Sequence, residues 1–194
     1  MTADLVIRNA RVFTMDATGR DLPRADIVVD KDRITAVGPD AGTTLQAKRV
    51  IDATGMLALP GLINAHFHSP GNLMKGSLPG LPLELFMLHE VPPLAAAAEA
   101  SRVAYVRTML GAIEMLERGI TCVHDDAFHV PIATREGVDA IMQAYSDAGM
   151  RATVAIDQPN IVEYEKYPFL KDLLPAAERR AMESAPRQLS LIHI

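Results

Sequence analysis

Two apolar runs at a fixed spacing do most to limit what this chain can fold into. Ile120-Thr-Cys-Val-His124 follows Gly119, and Arg151-Ala-Thr-Val-Ala-Ile156 follows shortly after Gly149. Each run is preceded by a stretch with helical periodicity. The first extends roughly from Leu94 to Arg118, with Val103, Val106, Leu110, Ile113 and Leu116 or Glu117 near helical spacing. Arg118 suits a last helical turn and Gly119 the position after it. The second begins near Thr134, a good N-cap, with Glu136 in its first turn and Val138, Ile141, Met142 and Tyr145 on its apolar face. Gly119 and Gly149 thus mark the same place in two successive units of about 30 residues. That is the βα repeat of a parallel sheet or barrel. The strands are apolar nearly throughout, which predicts cover on both faces. A further helix is expected from about Pro175 to Glu183.

Upstream the pattern is different. Residues 4–14 are rich in β-branched side chains, and Asp26–Asp30 and Ile34–Gly38 flank the polar turn Lys31-Asp32-Arg33 as a β-hairpin. Val50–Ala53 and Met56–Leu59 read as further strands, broken at Thr54-Gly55. Residues 1–59 therefore form a small all-β unit, too small to bury much by itself. Residues 69–93 carry Pro70-Gly71, Gly76, Pro79-Gly80, Pro82 and Pro92-Pro93, a long loop with a short helical piece near Glu84–His89. Long loops in compact domains are often functional.

Between the two regions lies Leu59-Pro-Gly-Leu-Ile-Asn-Ala-His66-Phe67-His68. In a strand, residues i and i+2 share a face, so His66 and His68 project together from its C-terminal end while Phe67 points away. Two adjacent imidazoles pack poorly but begin a metal site well. For an isolated pair, a structural or surface role is the preferred reading.

Composition narrows the function. A net charge of −5 argues against nucleic acid as the main partner, since phosphate binding needs a basic surface. No run of about 18 apolar residues predicts a membrane span, and residues 1–15 lack the continuous apolar core of a signal peptide. The single cysteine, Cys122, cannot form an internal disulfide, and a reducing, cytoplasmic setting fits best. Its mid-strand place suggests core packing.

These motifs together resemble the amidohydrolase superfamily. Leu59–His68 resembles its metal-binding first barrel strand, residues up to Ile51-Asp-Ala-Thr-Gly55 the N-terminal half of its small β-sandwich, and Gly119-Ile-Thr-Cys-Val-His-Asp125 its second strand. Gly71-Asn-Leu-Met-Lys-Gly76 followed by Leu81-Pro-Leu-Glu-Leu85 is most similar to the cytosine/adenosine-deaminase and triazine chlorohydrolase group. The resemblance covers residues 1 to about 188 and implies an α/β chain. A partial (β/α)₈ TIM barrel of roughly three βα units would follow the sandwich segment. The expected division is 1–59 sandwich segment, 60–188 truncated barrel, and 189–194 a tail, Leu-Ser-Leu-Ile-His-Ile, read as adapter-derived. A whole barrel takes about 250 residues, so the later strands, with the family's remaining ligands and its general-acid/base glutamate, are expected to be missing.

The implied function is hydrolysis of non-peptide carbon–nitrogen bonds. A divalent metal held by His66 and His68, zinc or alternatively iron, would activate water as hydroxide for deamination of a nitrogen heterocycle. No catalytic residue is assigned within this stretch. Glu84, His124, Asp125 and Asp126 are candidates to contact the small-molecule substrate. For the two aspartates and His124, helix capping and loop hydrogen bonds are an equal alternative; for Glu84, His89 and His129 a solvated loop is preferred, and Gln158 is a weaker candidate. Pro92-Pro93-Leu94-Ala95 stands where adenosine-type members carry a ribose-binding glutamate, which favours a smaller ring such as a pyrimidine, triazine or cyclic amidine. Alternatives are a non-catalytic fragment, dechlorination or amide hydrolysis by the same site, and an α/β binding domain with structural histidines; a second copy of the parent, as a homo-oligomer, is an expected partner.

Overall fold

The computed structural model describes residues 2–90, 99–129, 132–157, 161, 163–166 and 168–184. The expected tail at 189–194, the Pro92–Ala95 segment and Gln158 lie outside the described residues. The chain divides into two compact units, Met1–Gly61 and Leu62–Ile194.

The first unit is a five-stranded sheet. Strands β1 (Thr2–Phe13), β2 (Asp21–Asp30), β3 (Arg33–Gly38) and β4 (Gln46–Asp52) lie in the order β3-β2-β1-β4, and the short β5 (Leu57–Ala58) also pairs with β1. β1–β2 and β2–β3 are antiparallel, whereas β4 and β5 run parallel to β1. The tight turn between β2 and β3 places Lys31 at φ 53°, and its N–H donates to Asp4. A bulge at Asn9, φ 62°, shifts the β1–β2 register; its N–H donates to the buried carboxylate of Asp26, whose other oxygen accepts from the Gly42 N–H. Apolar side chains collect in two clusters, one around Ala10, Val12, Ala25 and Ile27, the other around Ala3, Val6 and Val28.

The second unit holds a parallel sheet in the order β6-β7-β8, with β6 at Leu62–Phe67, β7 at Ile120–Phe128 and β8 at Arg151–Asp157. A 3₁₀ turn, Ser69–Met74, leaves β6 directly, so part of the expected loop is ordered helix; α1 (Leu83–Glu90) follows it. Helices α2 (Ser101–Glu117) and α3 (Arg135–Ala148) connect the strands. Thr134 caps α3 by accepting the Gly137 N–H, and Gly149 ends it at φ 69°; Gly119, after α2, has φ 77°. Short helices α4 (Glu163–Lys166), α5 (Pro168–Leu173) and α6 (Ala176–Glu183) follow β8. Among the described residues no helix is long and apolar enough to cross a membrane.

The core of this unit lies between the helices and one face of the sheet, around Ala104, Met115, Val123, Ala127, Ile141 and Tyr145. Two expectations need correction. The buried stripe of α2 is Ala104, Arg107, Thr108, Gly111, Ala112 and Met115, while Val103, Leu110 and Ile113 are exposed. Small residues win these positions because the helix must approach β6 and the 3₁₀ turn closely: a Cβ at Gly111 would overlap Asn72 Nδ2 and Phe67 Cζ. Among the described residues the sheet is also covered on one face only. Ile63 is 73% exposed, and on β7 the buried Val123, Asp125 and Ala127 alternate with exposed or half-exposed neighbours.

Candidate metal-binding and substrate site

The end of β6 carries the histidine pair. Asn64 Oδ1 accepts the His66 backbone N–H at 3.2 Å, and Phe67, between the histidines, packs toward α2 at Gly111. His66 and His68 emerge together on the other face. Their rings meet edge-on at 85° with centroids 4.8 Å apart, and their Nε2 atoms are 3.0 Å apart.

Proton positions follow from the partners. His68 Nδ1 lies 2.8 Å from the backbone carbonyl oxygen of Asp126, which can only accept. His68 therefore carries its proton on Nδ1, and in the neutral ring Nε2 presents a bare lone pair. The short Nε2 contact then requires His66 to donate from Nε2. A backbone acceptor on the distal nitrogen is the usual arrangement that orients a metal-ligating imidazole. Two ligands about 2.05 Å from one tetrahedral zinc stand about 3.3 Å apart, close to the spacing between the two nitrogens. The donor chemistry thus fits a divalent metal. Among the described residues no group of three or more His, Cys, Asp or Glu side chains gathers to complete a coordination shell.

The other sequence candidates separate by face. Asp126 stays beside His68, its carboxylate 4.0 Å from Nδ1 and about one-third exposed. His124, two residues earlier on β7, is exposed on the same face. Asp125 faces the helices instead and is fully buried, which corrects the expectation that it lines an open pocket. Its Oδ1 accepts the Ser69 N–H at 2.9 Å and its Oδ2 accepts the Tyr145 hydroxyl at 2.8 Å. Alternation along a strand puts neighbours on opposite faces, so Asp125 and Asp126 cannot share a pocket. Glu84 lies in α1 with its side chain outside the described residues, and His89 is exposed there. Cys122 is half-buried in mid-strand.

His129 is not a solvated loop residue; it is buried at the end of β7, and its backbone N–H donates to the Asp157 carbonyl. Burial, reinforced by the charge of Arg107, lowers its pKa to about 4, so the ring is neutral. Arg107 is itself buried and pairs with Glu99 at 2.9 Å. Burial lowers the Arg107 pKa against the charges of Glu99 and Asp125, and burial raises that of Glu99 against Arg107. Burial and then the Asp125 charge raise the Tyr145 pKa, keeping its hydroxyl a donor. Arg107 and Ser69 are parts that no sequence pattern singled out, while Tyr145 and Asn72, whose Nδ2 donates to the Arg107 carbonyl, stood in an apolar helix face and a loop motif without a site role. An arginine at a core-facing helical position was the available signal for the first.

A family model described as the amidohydrolase family matches residues 57–186. The chain is 32% identical over 153 residues to a 5'-deoxyadenosine deaminase of Methanosarcina acetivorans, covering 79% of this chain and 33% of that protein. It is 31% identical over 169 residues to a 5-methylthioadenosine/S-adenosylhomocysteine deaminase of Thermococcus kodakarensis, covering 87% and 38%. An atrazine chlorohydrolase from Arthrobacter aurescens TC1, solved in complex with zinc, is similar in structure. Its TM-score is 0.69 at 31% identity, over 83% of this chain and 37% of that one. The chain spans about a third of the length of the curated relatives it matches.

Proposed function

The chain belongs to the amidohydrolase family, a family of enzymes, and from that premise we propose that it serves a metal-dependent hydrolase of non-peptide carbon–nitrogen bonds that deaminates a nitrogen heterocycle. The deaminase relatives support the reaction class. In this reading β6, β7 and β8 are the first strands of a (β/α)₈ barrel, and residues 1–59 are half of a small β-sandwich. The exposed face of β6–β8 is then the inward, active face. A single free Cys122 suits a reducing cytoplasm.

The observation that carries the proposal is the convergence of His66 Nε2 and His68 Nε2, with His68 Nδ1 tied to the Asp126 carbonyl. His66 and His68 would hold the metal, zinc first in view of the zinc-bound chlorohydrolase. When bound, such a metal supplies a Lewis acid that readies water for attack on an sp² ring carbon. The chain's own residues do the rest of what this region contributes. The Asp126 carbonyl keeps the His68 proton on Nδ1 and so leaves Nε2 free to ligate. Phe67 and Gly111 fix the strand end against α2. Asp126 and His124 offer polar contacts to a ring amine at the same face.

The test is ammonia release from adenosine derivatives, pyrimidines and aminotriazines by the zinc-loaded full-length protein. Turnover that is lost in His66→Ala and His68→Ala supports the proposal. Turnover equal to wild type in both variants removes it. The likeness to the atrazine chlorohydrolase supports a second reading, displacement of halide from a triazine by the same site. Chloride release from a chlorotriazine without ammonia release would select it.

A further inference from the structure

We infer that Asp125 is a positioning residue for the histidine pair, acting through the backbone of Ser69; this rests on the reading of His66 and His68 as metal ligands. The sheet ladder cannot do this work. Pairing between β6 and β7 ends at Phe67↔Asp125, one residue before His68. Beyond it, two successive residues of β7 hold two successive residues of the departing chain. The Asp125 side chain takes the Ser69 amide at 2.9 Å, and the Asp126 carbonyl takes the His68 ring at 2.8 Å. The first bond sets where the backbone passes, and the second sets how the ring turns.

The remaining Asp125 oxygen is held by the Tyr145 hydroxyl of α3 at 2.8 Å. The carboxylate is fully buried, and Ser69 is buried with it. A buried carboxylate is costly unless its lone pairs are filled, and here each oxygen has a donor and the Arg107 charge is felt nearby. The carboxylate therefore ties the end of β6 to α3, across β7. His68 itself is extended, at φ −126° and ψ 93°, with no ladder bond beyond it to hold that conformation. Without the Ser69 anchor the His68 carbonyl still accepts the Gly71 N–H at 3.1 Å, but the backbone after His68 loses its tie to β7, and the short bond to the Asp126 carbonyl would no longer be enforced.

The experiment uses the full chain and two readouts. Long-range proton–nitrogen NMR of the imidazoles gives the His68 tautomer without metal, and chelator competition gives zinc affinity. Asp125→Asn keeps an acceptor for the Ser69 amide and should leave His68 protonated on Nδ1. Asp125→Ala should mix the tautomers and weaken zinc binding about tenfold or more, the usual effect of losing an outer-shell partner. Tyr145→Phe should lower the melting temperature and move neither readout. A folded Asp125→Ala protein with wild-type tautomer and wild-type zinc affinity overturns the inference. Should that variant not fold, Asp125→Ser, polar but too short to reach the amide, takes its place: mixed tautomers and weakened zinc binding are again expected, and wild-type values again overturn the inference. Wild-type zinc affinity in the His66→Ala/His68→Ala double variant would instead sink the metal reading. The tautomer measurement would still decide the role of Asp125.

Discussion

Gly111 in α2 and Phe67 in β6 touch where no side chain larger than hydrogen fits: a Cβ on Gly111 would overlap both Phe67 Cζ and Asn72 Nδ2. Phe67 separates the two histidines, so this contact fixes the depth at which the strand end sits against the helix layer. It also explains why α2 buries small and polar residues while Val103, Leu110 and Ile113 face outward.

Gly111→Ala should therefore destabilise the protein although alanine is the better helix former. Alanine gains about 1 kcal/mol of helix propensity, and overpacking costs about 1–3 kcal/mol. A net loss of about 1 kcal/mol is expected in urea unfolding. A rise in stability would show that Phe67 and Asn72 yield easily.

Tyr145→Phe removes one of the two donors to the buried Asp125 carboxylate. An unsatisfied buried acceptor costs about 1–3 kcal/mol, at the upper end when charged. The denaturant midpoint should fall at pH 7 with the denaturant slope unchanged.

His129 predicts an acid-labile fold. Its folded pKa, about 4, lies below the usual 6.5 because the ring is buried near Arg107. The unfolded chain then binds the proton first as pH falls. The stability from a neutral His129 is complete above about pH 6.5 and is lost as pH drops toward 4, on the order of 3 kcal/mol in all. Glu99, its pKa raised by burial, opposes this at the acid end. Urea midpoints at pH 7.5, 5.5 and 4.5 should fall more steeply in wild type than in His129→Asn. Parallel slopes would contradict the assignment.

How much of this was legible in the sequence depends on range. Thr134, Gly119 and Gly149 act on their own neighbours, so the caps and the βα repeat could be read directly. The His66–His68 spacing fixes a shared face by strand geometry alone. The face of α2 could not be read, because apolar count pointed to Val103, Leu110 and Ile113 while close approach chose Gly111 and Ala104. Asp125 and Asp126 looked alike as neighbours; only strand alternation and a tyrosine 20 residues on set them apart. His129 looked like a loop residue because nothing local announces its burial.

Whether His66 and His68 form a pair made to ligate through Nε2 can be read at the ring nitrogens during a zinc titration. Long-range proton–nitrogen spectra should begin with His68 protonated on Nδ1 and His66 on Nε2, as the 3.0 Å contact between them requires. On adding zinc, both Nε2 signals should shift together and His66 should move its proton to Nδ1, while His68 keeps its own. A His66 ring that stays protonated on Nε2 at saturating zinc would show that the pair does not ligate through Nε2.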